Sequence, residues 1–318
     1  MPNKKPIVGI DLGGTNIQVG VVSPEFKVLA RAKRKTKADE GRDGVIGRIL
    51  DGIAEACQEA KIKQSDLAAV GIGAPGVIEP ESGTVLEAVN LRWNDVPLAQ
   101  LLTKKTGAPT VVDNDVNAAI YGENKLGAGE GARDLLGVWI GTGIGGGLIL
   151  NGRLHHGSFY SAGEIGHTIL FPGLPLGARS LENFCSRTSV VDRITRLIRQ
   201  NHKSVITELV NGDLSDIRSK VLAKAFEMGD ELTVRVIDDA AELIGFAVAS
   251  AVTLLSLGRV VLGGGLTEAI GEPLVEKVKK AAKGAVFPEK AKAVKIVGTK
   301  LCDDAGVLGA ALLASERL

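Results

Sequence analysis

The sequence predicts an α/β protein of two domains built on a duplicated plan, and three observations lead there. At 318 residues the chain is longer than a single hydrophobic core usually organises. Short β-branched runs alternate with stretches of helical periodicity. A unit of strand, glycine turn and strand stands near the start and again after Gly131, and self-similarity of that kind marks a repeated architecture. Glycine is the compositional outlier at 41 residues. Its clusters follow apolar runs, where the backbone must come close to a ligand or to another strand.

Ile7–Ile10, Ile17–Val22 and Lys27–Arg31 read as three short strands separated by tight turns, an antiparallel meander. Val45, Ile46, Ile49, Leu50, Ile53, Ala54 and Cys57 fall at helical spacing, so Val45–Ala60 is expected to be a helix. Leu67–Ile72 returns as a strand, Val96–Leu102 suggests a helix, and the short strand Thr110–Val112 feeds a helix that begins near Asn114. The second half opens on the strand Leu135–Ile140, a glycine-rich turn, and Gly147–Leu150 running into Asn151-Gly152. Helical stretches dominate from about Ser180 to Leu255. Arg259–Leu262 and Lys292–Val297 are strands, and Ala305–Ser315 is a closing helix.

Composition excludes several classes. A net charge of +1 gives no reason to expect nucleic acid or an acidic membrane as partner. The uncharged stretch between Glu242 and Arg259 is shorter than the roughly 20 apolar residues of a membrane span and reads as a buried helix. The N-terminus runs straight into a strand with no visible signal peptide. Cys57, Cys185 and Cys302 are sparse, odd in number and form no CxxC pair, which fits a reducing cytoplasm.

Asp11-Leu12-Gly13-Gly14-Thr15-Asn16 lies between two strands. Adjacent glycines let backbone N–H groups face an anion, Thr15 adds a hydroxyl, and Asp11 is suited to hold hydrated Mg²⁺. The alternative is a structural hairpin with an Asp turn residue. Gly141-Thr142-Gly143-Ile144-Gly145-Gly146 matches GxGxxG, but a β-branched run and a hairpin turn follow it rather than a helix. That context rejects the dinucleotide fingerprint. No Gly-Lys-Ser/Thr follows either turn, so neither is a Walker A loop. With Gly263-Gly264-Gly265, the two turns look like a nucleotide site.

Asp113-Asn114-Asp115 stands where a strand becomes a helix. For Asp113 or Asn114 the simple reading is an N-cap, and a carboxylate at Asp115 suits the first helical turn. Ala162-Gly163-Glu164-Ile165-Gly166-His167 and the later Glu182 add acceptors and donors suited to sugar hydroxyls, although a lone His is more often structural.

Taken in order, these segments resemble the ROK family of bacterial sugar kinases and repressors, particularly its glucokinases, over essentially the whole chain. Asp11–Thr15 is similar to the family's first phosphate motif, Gly73-Ala74-Pro75-Gly76 to its GxPG turn, and Asn90-Leu91-Arg92-Trp93 to its Asn-Leu-x-x-Trp segment. Asn114-Asp115 resembles its sugar and catalytic pair, Gly141–Gly147 its second phosphate motif, Glu164–His167 its ExGH signature and Gly263–Gly265 its adenosine turn.

The resemblance implies the actin-like ATPase (ribonuclease H-like) fold: a small lobe of residues 1–117 with 303–318, a large lobe of residues 118–302, and a ligand cleft. It implies Asp115 as the base and Asn90, Asn114, Glu164, His167 and Glu182 as hexose contacts. Asp11, Gly13, Gly14, Thr15, Asn16, Gly141, Thr142, Gly143, Gly264 and Gly265 would serve ATP, with Mg²⁺ held by Asp11 through water. Glucose is the favoured hexose, ahead of mannose, fructose, N-acetylglucosamine and N-acetylmannosamine; polyphosphate is the alternative donor to ATP, and a homodimer is implied.

One departure matters. The family's CxCGxxGC zinc motif is absent, because Thr168–Leu181 holds no cysteine, so no thiolate zinc site is expected. That loop is expected to be held instead by packing of Phe171, Pro172, Leu174, Pro175 and Leu176. His155 and His156 read as exposed loop residues or neighbours of the sugar. Repressors of the family carry a helix-turn-helix ahead of this core, for which no room is expected before Asp11. A catalytically dead sugar-binding protein is opposed by Asp115 and both phosphate turns.

Overall fold

The computed structural model describes residues 5–317, which form two compact units. The first holds the chain through Glu130, the segment His156–Ala162 and the chain from Asp303; the second holds Gly131–His155 and Gly163–Cys302.

In the first unit the strands are β1 (Ile7–Leu12), β2 (Asn16–Val22), β3 (Val28–Lys35), β4 (Val70–Ala74), β5 (Val77–Glu79), β6 (Thr84–Ala88), β7 (Trp93–Val96) and β8 (Thr110–Asn114). Its helices are α1 (Gly41–Glu59), α2 (Leu98–Thr106) and α3 (Asp115–Leu126). The second unit follows with β9 (Leu135–Ile140), β10 (Ile144–Leu150) and β11 (Arg153–Leu154), then helices α4 (Leu181–Cys185), α5 (Arg187–Arg199), α6 (Ile206–Leu209), α7 (Ser219–Glu227) and α8 (Glu231–Leu255). It ends with β12 (Arg259–Gly263), α9 (Gly265–Ile270), α10 (Glu272–Ala285) and β13 (Lys295–Gly298); the last helix, α11 (Ala305–Glu316), returns to the first unit.

The two main sheets have one plan. The first runs β3-β2-β1-β4-β8 and the second β11-β10-β9-β12-β13. In each, three antiparallel strands of a meander are extended by two parallel ones. Each glycine turn is therefore the first hairpin of its sheet, at the carboxyl ends of the parallel strands, where α/β sheets bind ligands.

The first sheet is covered on both faces, which is why β1 and β4 read as nearly unbroken apolar runs. Helix α1 packs on β2 and β3 through a stripe that includes Val45, Ile46, Ile49 and Ile53. Helix α11 is buried from Ala305 to Ala314 and packs on β1, β4 and α3. Its close seat depends on Gly9 and Gly71, register partners in β1 and β4. A Cβ on Gly9 would stand 2.0 Å from the Val307 carbonyl oxygen, and one on Gly71 1.9 Å from that of Ala310.

Several expectations change. β5, β6 and β7 form a third sheet that periodicity did not reveal, since its strands are short and interrupted by Pro80 and Gly83. The second expected strand of the last pair starts only at Lys295, because Glu289–Ala293 after Pro288 forms a helical turn. The expected lobe boundary at residues 117/118 falls inside α3, a helix packed on α11 within the first unit. Among the described residues no helix is long and apolar enough to cross a membrane.

Candidate active site

Asp11, Gly13, Gly14, Thr15, Asn16, Asn90, Asn114 and Asp115 lie in the first unit, and Gly141, Thr142, Gly143, Glu164, His167, Glu182, Gly264 and Gly265 in the second. In the first unit the glycine turn closes with Gly13 N–H donating to the Asn16 carbonyl at 2.9 Å. The buried Thr36, which sequence reading did not single out, fastens it from just past the end of β3: its hydroxyl donates to the Gly13 carbonyl at 2.6 Å and its N–H to that of Thr15 at 2.9 Å. Carbonyls are thus engaged, while the N–H groups of Gly14 and Thr15 meet no acceptor among the described residues. Asn90 sits against this turn, its Cβ 3.6 Å from where a Gly14 Cβ would be.

The Asp113-Asn114-Asp115 cluster divides its labour. Asn114 is the N-cap of α3, its Oδ1 accepting from Val116 and Asn117 N–H at 2.9 and 3.1 Å, and its Nδ2 donates to the Gly76 carbonyl at 3.0 Å. The side chain expected to meet a hexose is therefore held by the GxPG turn and the helix start. Asp113 is no cap. Only 1% exposed, its carboxylate accepts from Asn114 N–H and Asn117 Nδ2 and pairs with His156 Nε2 at 2.9 Å. His156, expected as an exposed loop residue or a neighbour of the sugar, is a half-buried loop residue held by this pair. The hydrogen bond to Asp113 raises the imidazole's pKa, against the effect of burial.

Asp115 begins α3, and its Oδ1 accepts from Val116 N–H at 2.9 Å. Burial pushes its carboxyl up to about 6, against the opposing backbone N–H bonds. Asp11 is pushed up to about 7, first by burial and then by the carboxylates of Asp115 and Asp303, with Lys33 opposing. Desolvation and like charge both disfavour the ionised form.

A hydrated Mg²⁺ fits this donor set. The ion takes one or two carboxylates plus waters, and Asp11 offers one carboxylate in an acidic setting that a cation would relieve. Among the described residues no group of three or more His, Cys, Asp or Glu side chains is placed to hold a metal directly. The consequence is testable. An Asp11 ionised at pH 8 opposes folding, because its folded pKa lies above the ordinary 3.8. Asp11→Asn is expected to raise the melting temperature by several degrees at pH 8 in chelator and to lose the stabilisation that MgCl₂ gives the parent protein. Unchanged melting in both buffers would contradict this account of Asp11.

In the second unit the other glycine turn is closed by Gly141 N–H to the Gly143 carbonyl at 2.9 Å. Glu182 Oε2 accepts from Ile144 N–H at 2.7 Å, so this expected hexose contact holds the second glycine turn. Glu164 leads into the helical turn Ile165–His167, which leaves His167 exposed. The motif's glycine seats that turn on β10: a Cβ on Gly166 would be 2.0 Å from the Ile144 carbonyl oxygen. Gly264, at φ 84°, caps α9, which begins at Gly265.

The loop 168–181 is held differently from expectation. Phe171 meets Phe184 edge-on at 4.7 Å between centroids, but Leu176 is 87% exposed. Backbone bonds do most of the fastening: Leu170 and Phe171 N–H to the Arg179 carbonyl, and Leu181 N–H to that of Thr168. Among the described residues no disulfide joins the cysteines, and burial pushes the Cys185 thiol up to about 12.

Two like sheets, each with a phosphate-type glycine hairpin, and a half-buried carboxylate at a strand-to-helix junction define a protein of the actin-like ATPase fold. The chain belongs to the ROK family, whose model matches residues 7–317. It is 33% identical to a glucokinase of Thermotoga maritima, over 100% of this chain and 99% of the relative. The crystal structure of a ROK family glucokinase from Streptomyces griseus in complex with glucose and AMPPNP superposes with a TM-score of 0.88 at 30% identity, covering 98% of this chain and 99% of that one. A xylose repressor of Caldicellulosiruptor bescii is 31% identical over 98% of this chain and 79% of its own length.

Proposed function

We propose that this protein is an ATP-dependent hexose kinase that phosphorylates the 6-hydroxyl, with glucose as the preferred acceptor. The observation that carries the reading is Asp115, a carboxyl pushed up to about 6 in the same unit as the Gly13–Thr15 turn. Such a base is largely ionised at neutral pH yet basic enough to take a proton as the hydroxyl attacks. The glucokinase relatives and the glucose and AMPPNP bound to the Streptomyces griseus enzyme support glucose and ATP in particular.

Phosphoryl transfer depends chiefly on positioning and on charge stabilisation. Asn114 fixes the start of α3 and with it Asp115. The open N–H groups of Gly14 and Thr15 and of Thr142 and Gly143 take phosphate oxygens. Mg²⁺, where Asp11 holds it through water, would supply neutralising charge to the terminal phosphates. Asn90, Glu164 and His167 offer acceptors and donors for hydroxyls, and the Gly264-Gly265 turn would lie against the adenosine. A homodimer and a cytoplasmic location belong to the same proposal.

The test is ADP release with glucose, mannose, fructose, N-acetylglucosamine and N-acetylmannosamine, using ATP and then polyphosphate as donor. Glucose should give the highest kcat/KM with ATP. Tight sugar binding with no turnover on any acceptor would favour a sugar sensor instead.

Activity is also proposed to be independent of zinc. Among residues 168–181 there is no Cys, His, Asp or Glu, whereas a closed zinc site needs about four such ligands. Chelation followed by Mg²⁺ should restore full activity, and elemental analysis should find no stoichiometric zinc. Zinc whose removal abolishes sugar binding would refute this.

A further inference from the structure

The second glycine turn is tied to the start of α5 by three hydrogen bonds. Arg187 N–H donates to the Gly141 carbonyl at 2.9 Å and the Thr188 hydroxyl to the Thr142 carbonyl at 2.7 Å. The third runs from Arg187 Nη2 to Thr142 Oγ1 at 2.9 Å. The first two engage carbonyls, and the N–H groups of Thr142 and Gly143 meet no acceptor among the described residues. The third sets a full positive charge beside the exposed Thr142.

Among the described residues that charge meets no carboxylate. A guanidinium has five N–H donors, and the Thr142 hydroxyl is the one side-chain acceptor Arg187 meets among the described residues, with no carboxylate paired to it. Glu182, the acid bonded to this turn, gives its Oε2 to Ile144 N–H. Arg187 is also the first residue of a 13-residue helix with no acidic residue in its first turn. A cation there adds to the positive end of the helix dipole instead of opposing it. An external anion resolves both imbalances, and a guanidinium fork beside open N–H groups is complementary to phosphate.

We infer that Arg187 binds the phosphate chain of the donor and sets the preference of this turn for a polyanionic one. The inference rests on the kinase reading and deepens it at the donor end. Arg187 was not legible as a site residue, since it follows the N-cap Ser186 and opens an amphipathic helix like any surface arginine.

Calorimetry with ATP, ADP, adenosine and glucose on the parent protein, Arg187→Gln and Arg187→Lys is the test. Gln can still donate to the Thr142 hydroxyl, so a purely structural role predicts parent-like binding. Loss of charge-assisted bonds to phosphate should instead weaken ATP and ADP roughly 10- to 100-fold, leave adenosine and glucose unchanged, and be partly reversed in the Lys variant. ATP affinity of the Gln variant within about twofold of the parent, or equal losses for ATP and adenosine, would overturn the inference. A parent protein that binds neither ATP nor adenosine would overturn the kinase reading itself.

Discussion

Asp115→Asn is expected to lower kcat by about 10²- to 10⁴-fold, the usual worth of a general base, while sugar affinity stays near that of the parent protein. The substitution is nearly isosteric, and the amide oxygen can still accept the 2.9 Å bond from Val116 N–H, so the helix start survives. What disappears is a group able to take a proton near neutrality. The pH dependence gives a second signature. Burial pushes the Asp115 carboxyl up to about 6, so the parent's kcat should fall as the pH drops through that value and the base is protonated. The residual rate of the Asn variant should lack that limb. Steady-state rates and calorimetry on one preparation check both, and near-normal turnover would leave Asp115 as a helix-start carboxylate and nothing more.

Gly71→Val should cost more than about 4 kcal/mol, a loss found only for the harshest core changes, and is expected to yield little folded protein. The reason is geometric. A Cβ at Gly71 would stand 1.9 Å from the Ala310 carbonyl oxygen and 2.5 Å from its carbon. These are backbone atoms of a helix buried from Ala305 to Ala314, and no rotamer relieves the clash. Gly9, the register partner of Gly71, meets the Val307 carbonyl in the same way, so α11 must lift from both strands together. The site feels this too, because Gly306 at the start of α11 is packed against the Asp11 carboxyl, 2.9 Å from Cγ to its ideal Cβ. Gly47→Ala is the control: nothing lies within 4 Å of its Cβ position, and Ala in a helix interior should gain about 0.5–1 kcal/mol. Thermal melts of the two variants decide the matter, and a Gly71→Val protein as stable as its parent would dismiss this account of the α11 seat.

Much of this was legible because it is written in local pattern. The two strand, glycine turn, strand units appear as sheets of the same order, since β-branched runs and paired glycines admit few other conformations. Helix α1 was visible from its apolar spacing, and Asn114 as a helix start from its residue type and place. What remained hidden depends on partners distant in sequence. Nothing local in His156 points to Asp113, 43 positions away. Thr36 reads as an ordinary strand-end threonine until its hydroxyl meets the Gly13 carbonyl. Glu182 offered a carboxylate suited to a sugar, and only the fold reveals that Ile144 N–H takes one of its oxygens. The third sheet escaped notice because strands as short as Val77–Glu79 and Trp93–Val96 are too brief to show a period.

The most direct test of the central claim is a phosphorus NMR time course of the protein with glucose, ATP and MgCl₂. The account predicts a growing hexose 6-phosphate monoester signal matched one for one by ADP, with ATP stable when glucose is left out. ATP that persists unchanged in the presence of every hexose tested, or ADP that forms together with inorganic phosphate at the same rate with and without sugar, would contradict it.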